Sequence, residues 1–120
     1  MKKSTKFTDL IVWQKSHKLV LDIYKISSSF PKEEVYGLTS QIRRAAFSIP
    51  ANIAEGFAKK SNKDKMRFYN IAQGSLSELK YYLILINDLG YYRSSDIKLL
   101  ANEVGKLLNG YISGFKITYY

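Results

Sequence analysis

Apolar residues recur three and four positions apart along almost the whole chain, and only Pro31 and Pro50 interrupt them. That is the period of an α-helix rather than of a half-buried strand, so the chain reads as all-α. A first helix over about 9–28 starts where Thr8 and Asp9 offer a capping oxygen. Its expected core stripe is Leu10, Trp13, His17, Val20, Leu21 and Tyr24, and it ends ahead of Phe30-Pro31 because the residue before a proline disfavours helical geometry. A second helix over about 37–60 puts Leu38, Ile42, Ala45, Ala46, Ile49, Ile53 and Phe57 on one face. The apolar phase runs on across Pro50, so a kink is expected there rather than a break.

Ser61 and Asp64 have capping-box spacing and open a third helix over about 62–89, with Gly90 as its stop. Its stripe is Phe68, Ile71, Ala72, Ser75, Leu76, Leu79, Tyr82, Leu83 and Ile86. A fourth helix over about 95–116 carries Ile97, Leu100, Ala101, Val104, Leu107, Leu108, Tyr111, Ile112 and Phe115. Gly105, Gly110 and Gly114 weaken it unless a neighbouring helix or subunit packs closely there. Four helices joined by short turns predict a single domain over residues 1–120, an antiparallel up-and-down four-helix bundle. Only the terminal Lys116–Tyr120 admits a strand.

Composition removes several kinds of chemistry. With no cysteine, the 120-residue chain has no disulfide, thiolate metal site or thiol nucleophile. Its one histidine, His17, cannot supply a histidine-rich metal centre and reads as a core-facing bundle residue. No metal or cofactor is expected, no phosphate-binding glycine loop occurs, and nothing supports an enzyme. No apolar run reaches the length of a membrane span, and no signal core follows the basic N-terminus, so a cytoplasmic protein with no membrane partner is expected. The charge is the distinctive number. Nineteen Lys and Arg against ten Asp and Glu give a formal net charge of +9, which favours a polyanionic partner.

Two constellations stand out. On the second helix Gln41, Arg44, Ser48, Asn52 and Glu55 share one side, next to the apolar stripe. Such a stripe needs partners, and Glu78 on the third helix is a candidate for Arg44 or Asn52. An interhelical polar network is the expectation, ahead of a ligand site. The other constellation is cationic. Lys59, Lys60, Lys63, Lys65 and Arg67 surround Asp64 alone, and Lys2, Lys3 and Lys6 should reach the same pole of an up-and-down bundle. Lys15 and Lys18 add charge on the first helix. Together these are the candidate contacts to nucleic acid.

The runs Tyr36-Gly37-Leu38-Thr39-Ser40-Gln41-Ile42-Arg43-Arg44-Ala45-Ala46 and Ser48-Ile49-Pro50-Ala51-Asn52-Ile53-Ala54-Glu55-Gly56 are distinctive. With Asp9-Leu10-Ile11-Val12-Trp13-Gln14 and Leu89-Gly90-Tyr91, they make the chain resemble the four-helix bundle family also called ribosomal RNA intervening-sequence proteins. The resemblance implies a ring-like homo-oligomer, a pentamer. It also implies kinship with the accessory variability determinant of diversity-generating retroelements, and so a reverse transcriptase or other protein as a further partner. The expectation is a non-enzymatic nucleic-acid-binding oligomer, with a protein-interaction scaffold as the alternative.

Overall fold

The structure, a computed structural model, describes residues 4–93 and 95–115. Lys2, Lys3 and the segment Lys116–Tyr120 lie outside the described residues. Four helices form: α1 (Ile11–Ser27), α2 (Leu38–Ala58), α3 (Asn62–Asp88) and α4 (Ser95–Ser113), with single 3-10 turns at Phe7–Asp9 and Lys32–Glu34. Among the described residues there is no strand. Helix α1 packs on α2, α2 on α3, α3 on α4, and α4 back on α1, while the diagonal pairs bring no Cα atoms within 8 Å among the described residues. Short connections make neighbours antiparallel, and the result is a rod 49 Å long and 29 × 22 Å across.

The termini of these helices obey local chemistry. Helix α2 runs unbroken through Pro50, which is buried in the core. Ser61 caps α3 by accepting from the Asp64 amide at 3.1 Å. At its other end Gly90 takes φ +76. The Tyr91 amide donates to Ile86 O and the Gly90 amide to Asn87 O, the paired bonds that close a helix on a left-handed glycine. Helix α1 begins at Ile11 rather than at residue 9, because Phe7–Asp9 closes a separate 3-10 turn in which Asp9 accepts from the Lys6 amide.

Burial confirms the expected faces of α2 and α4 and corrects the phase of α1. Of its expected stripe Val20 is buried, and Leu10 and Trp13 pack half-buried on the core. The other buried residues include Val12, Ser16, Leu19, Ile23 and Ile26, whereas Leu21 is 56% and Tyr24 41% exposed. His17 is likewise exposed, with its ring stacked on Trp13 at 5.0 Å. It does not face the core. On α3 the buried aromatic is Tyr69 rather than Phe68, and Ile71 is exposed. Of Gly105 and Gly110 on α4 and Gly114 just past its end, only Gly105 meets another helix, close to Leu76 and Lys80 of α3.

At the end of the bundle where α1 passes to α2, Glu34 holds two loops together. One carboxylate oxygen accepts from the Leu38 amide at 3.3 Å and so caps α2. The other accepts from the Tyr91 hydroxyl at 2.9 Å, and the Tyr91 ring lies against Phe30. This bond to a carboxylate pushes the Tyr91 phenol above its ordinary value.

At the opposite end Gly56 of α2 meets the ring of Tyr69. A Cβ on Gly56 would stand 2.8 Å from Cδ1 and closer still to Cε1. The ring itself is fully buried and cannot swing aside. Gly56→Ala should therefore destabilise by about 2 kcal/mol despite the better helix propensity of alanine, read as a lowered midpoint in urea unfolding. The Tyr69 hydroxyl pairs with that of Tyr111 at 3.2 Å. Burial first, and this bond second, push the Tyr69 phenol far above the ordinary tyrosine range. A raised folded-state value means the neutral phenol's stability is fully present below about pH 10 and is lost as pH climbs beyond it. Unfolding measured across the interval from about pH 9 to about pH 12 should show that alkaline loss, and Tyr69→Phe should remove part of the slope.

Candidate nucleic-acid interface

The turn from α2 to α3 gathers the cationic run. Helix α2 stops at Ala58, and Lys59 is extended with its amide donating to Gly56 O. Lys60, Lys63 and Arg67 are exposed, and Lys59 is half-buried. Lys59 Nζ lies 5.1 Å from the centre of the Phe68 ring and the Arg67 guanidinium carbon 4.8 Å from it, so one ring carries two cations. Asp64 is the one carboxylate in the 59–67 run. The first turn of α3 points its free amides and the positive end of its dipole in the same direction.

Lys65 has a different task. Its Nζ donates to Gly56 O at 3.2 Å and to Phe57 O at 3.0 Å, satisfying the last carbonyls of α2. It also faces the rings of Phe57 and Phe115. Partial burial lowers its pKa. Lys65 closes a helix rather than presenting a free charge.

The other candidate cations are more scattered. Lys6 is exposed beside the 3-10 turn at Phe7–Asp9, which packs against α1 and α2. In an antiparallel pair that is the end where α2 finishes, hence the pole of residues 59–67. Lys15 is paired with Glu103 at 3.1 Å and Lys18 with Asp22 at 3.0 Å. Their charge is partly spent within the chain. Lys2 and Lys3 lie outside the described residues.

The polar stripe of α2 resolves into a small centre and an exposed margin. Asn52 Nδ2 donates to Ser48 O at 2.8 Å and to Ser48 Oγ at 2.9 Å. Ser75 Oγ of α3 donates to Ser48 Oγ at 2.8 Å. These three bridge the helices. Gln41, Arg44 and Glu55 are exposed instead. The expected pairing of Glu78 with Arg44 or Asn52 is absent among the described residues. Glu78 accepts from the Tyr82 hydroxyl at 2.7 Å, which pushes that phenol up to about 12. The arginine that does cross between helices is Arg43. Its Nε donates to Ser27 Oγ at 2.7 Å, and its guanidinium lies 4.7 Å from the centre of the Tyr24 ring. Sequence reasoning passed over it because it falls between the apolar and polar stripes. Its one signal was its place beside Arg44.

Among the described residues no group of three or more His, Asp or Glu could hold a metal ion. None of their helices is long and apolar enough to cross a membrane.

Residues 8–110 match the family described as 23S rRNA-intervening sequence protein. The chain is also similar to a crystal structure from Bacteroides thetaiotaomicron, a protein with unknown function from the S23 ribosomal protein family. The two share 27% identity at a TM-score of 0.76, covering 86% of this chain and 96% of that one. No curated protein matches.

The exposure of Arg44 sets an expected outcome. Arg44→Ala should shift stability by no more than about 0.5 kcal/mol. Ser48→Ala, which leaves the Asn52 amide and the Ser75 hydroxyl without their shared acceptor, should cost about 1–2 kcal/mol. Urea unfolding of both variants checks the order.

Proposed function

The chain belongs to the 23S rRNA-intervening sequence protein family, and we propose that it acts as a non-enzymatic, basic homo-oligomer that binds nucleic acid. The observation that carries this reading is the α2–α3 turn. There Lys59, Lys60, Lys63 and Arg67 surround a single carboxylate at the N-terminus of a long helix. Phosphates are the anions that such a cluster matches at repeated spacing. Each neutralised phosphate releases counterions and makes binding depend on salt. The formal net charge of +9 draws any polyanion towards the particle.

Self-association is supported by large apolar side chains on the outer faces of all four helices. Leu21 on α1, Phe47 on α2, Ile84 on α3 and Leu99 on α4 are each about half or more exposed. A lone bundle gains nothing from them, whereas a ring-like pentamer buries them. Several copies would also bring several cationic turns to one polyanion, adding avidity without new contacts.

The test is binding of a generic RNA or DNA duplex to the purified oligomer across a salt series. Affinity should fall by about a thousandfold between about 50 and about 200 mM salt. Lys59→Glu, Lys60→Glu and Lys63→Glu together should abolish it while leaving the melting curve in place. Lys65 is excluded from this variant because it caps α2. Absence of binding at low salt would defeat the nucleic-acid reading and leave a protein-interaction scaffold. Sedimentation as a monomer at every concentration would remove the oligomer.

A further inference from the structure

At the other end of the bundle, away from the α2–α3 turn, a cavity of about 390 Å³ opens between the end of α1, its connection to α2 and the first turns of α2. Arg43 and Lys32 stand in its wall. Arg43 is held in place from within, by Ser27 Oγ on one side and the Tyr24 ring on the other. Only its Nε is used, so the rest of its guanidinium donors have no acceptor among the described residues. Neither Arg43 nor Lys32 has an ion-pair partner among the described residues.

Thr39 adds a hydroxyl to the same wall. It lines the cavity and is only 7% exposed, yet its hydroxyl makes no hydrogen bond among the described residues. The hydroxyl opens onto the cavity and is free to bond a group held there. No carboxylate lines the space. Of the two acids in the adjoining 3-10 turn, Glu33 is exposed and Glu34 spends its oxygens on the Leu38 amide and Tyr91. The remaining wall is apolar, from Phe30, Pro31 and Val35.

We infer that this cavity binds a phosphate monoester with a compact aromatic or apolar body. The phosphoryl oxygens take Arg43, Lys32 and the Thr39 hydroxyl, and the body lies against Phe30, Pro31 and Val35. Two cations and a hydroxyl suit a dianion with three terminal oxygens, and a carboxylate would leave one cation unmatched. The volume falls within the range of small-molecule sites. This site is separate from the α2–α3 turn, and neither reading depends on the other.

The test is calorimetric titration of the full chain, at low salt, with phenyl phosphate, inorganic phosphate and benzoate. Phenyl phosphate should saturate at one per chain and bind at least about tenfold tighter than either of the others. Lys32→Gln and Thr39→Val should each weaken it by about tenfold. Those two variants carry the test, because Arg43 also packs against α1 and its loss would disturb the fold. The Lys59→Glu, Lys60→Glu, Lys63→Glu variant should bind phenyl phosphate as the wild type does. Three results would overturn the inference. These are no saturable binding of phenyl phosphate, unchanged affinity in both Lys32→Gln and Thr39→Val, or benzoate binding as tightly as phenyl phosphate.

Discussion

Where Gly56 meets Tyr69 there is room for a hydrogen atom and nothing larger. That close approach sets the distance between α2 and α3 at the end where they turn into one another. The same ring also organises the last turns of α4. Its hydroxyl reaches Tyr111 and its ring lies 5.5 Å from that of Phe115, so the end of α4 is placed by the contact that places α3. One turn before Tyr69, Lys65 reaches back to the carbonyl of Gly56 itself. The cationic turn is therefore mounted on a rigid corner, as the proposed phosphate contacts would require of a scaffold.

The helices were legible because their apolar period is regular and their ends carry explicit chemistry, as at Ser61 and Gly90. The phase of α1 was not. That helix bears two sets of apolar residues, a buried one through Val12, Leu19, Ile23 and Ile26 and an exposed one at Leu21 and Tyr24, with Trp13 half-buried at the border. Periodicity counts apolar residues but says nothing of which side the neighbours occupy. Trp13 at the border and Tyr24 outside it tilt the apparent stripe toward the exposed side. Similarly, Phe68 and Tyr69 are adjacent on α3, and only the facing gap at Gly56 decides which of them is buried.

For the polar residues the sequence located the stripe of α2 but not its partners. Ser48, Asn52 and Ser75 bridge the helices, while Arg44 and Glu55 remain outside. A step of about 100° separates Arg44 from Arg43, and that step decides whether a guanidinium faces solvent or α1. The cationic run 59–67 could be read directly, but the division of labour inside it could not. Lys65 differs from Lys63 only in lying where the carbonyls of α2 end. The unpaired Thr39 hydroxyl has no sequence signature at all, since it depends on what three separate segments leave open.

The square arrangement of the four helices also has a consequence for how the chain reaches its native state. Every helix touches its neighbours in sequence, and only the contact of α1 with α4 joins distant parts of the chain. Three of the four interfaces thus form as successive hairpins with short loops to close, and the entropic cost of closure is concentrated in the last. Such a topology has low contact order and belongs with the rapid folders. The α2–α3 hairpin, locked at Gly56 and Tyr69, is the most extensive of these local interfaces, and the contact of α4 with α1 is the one that closes the ring of helices.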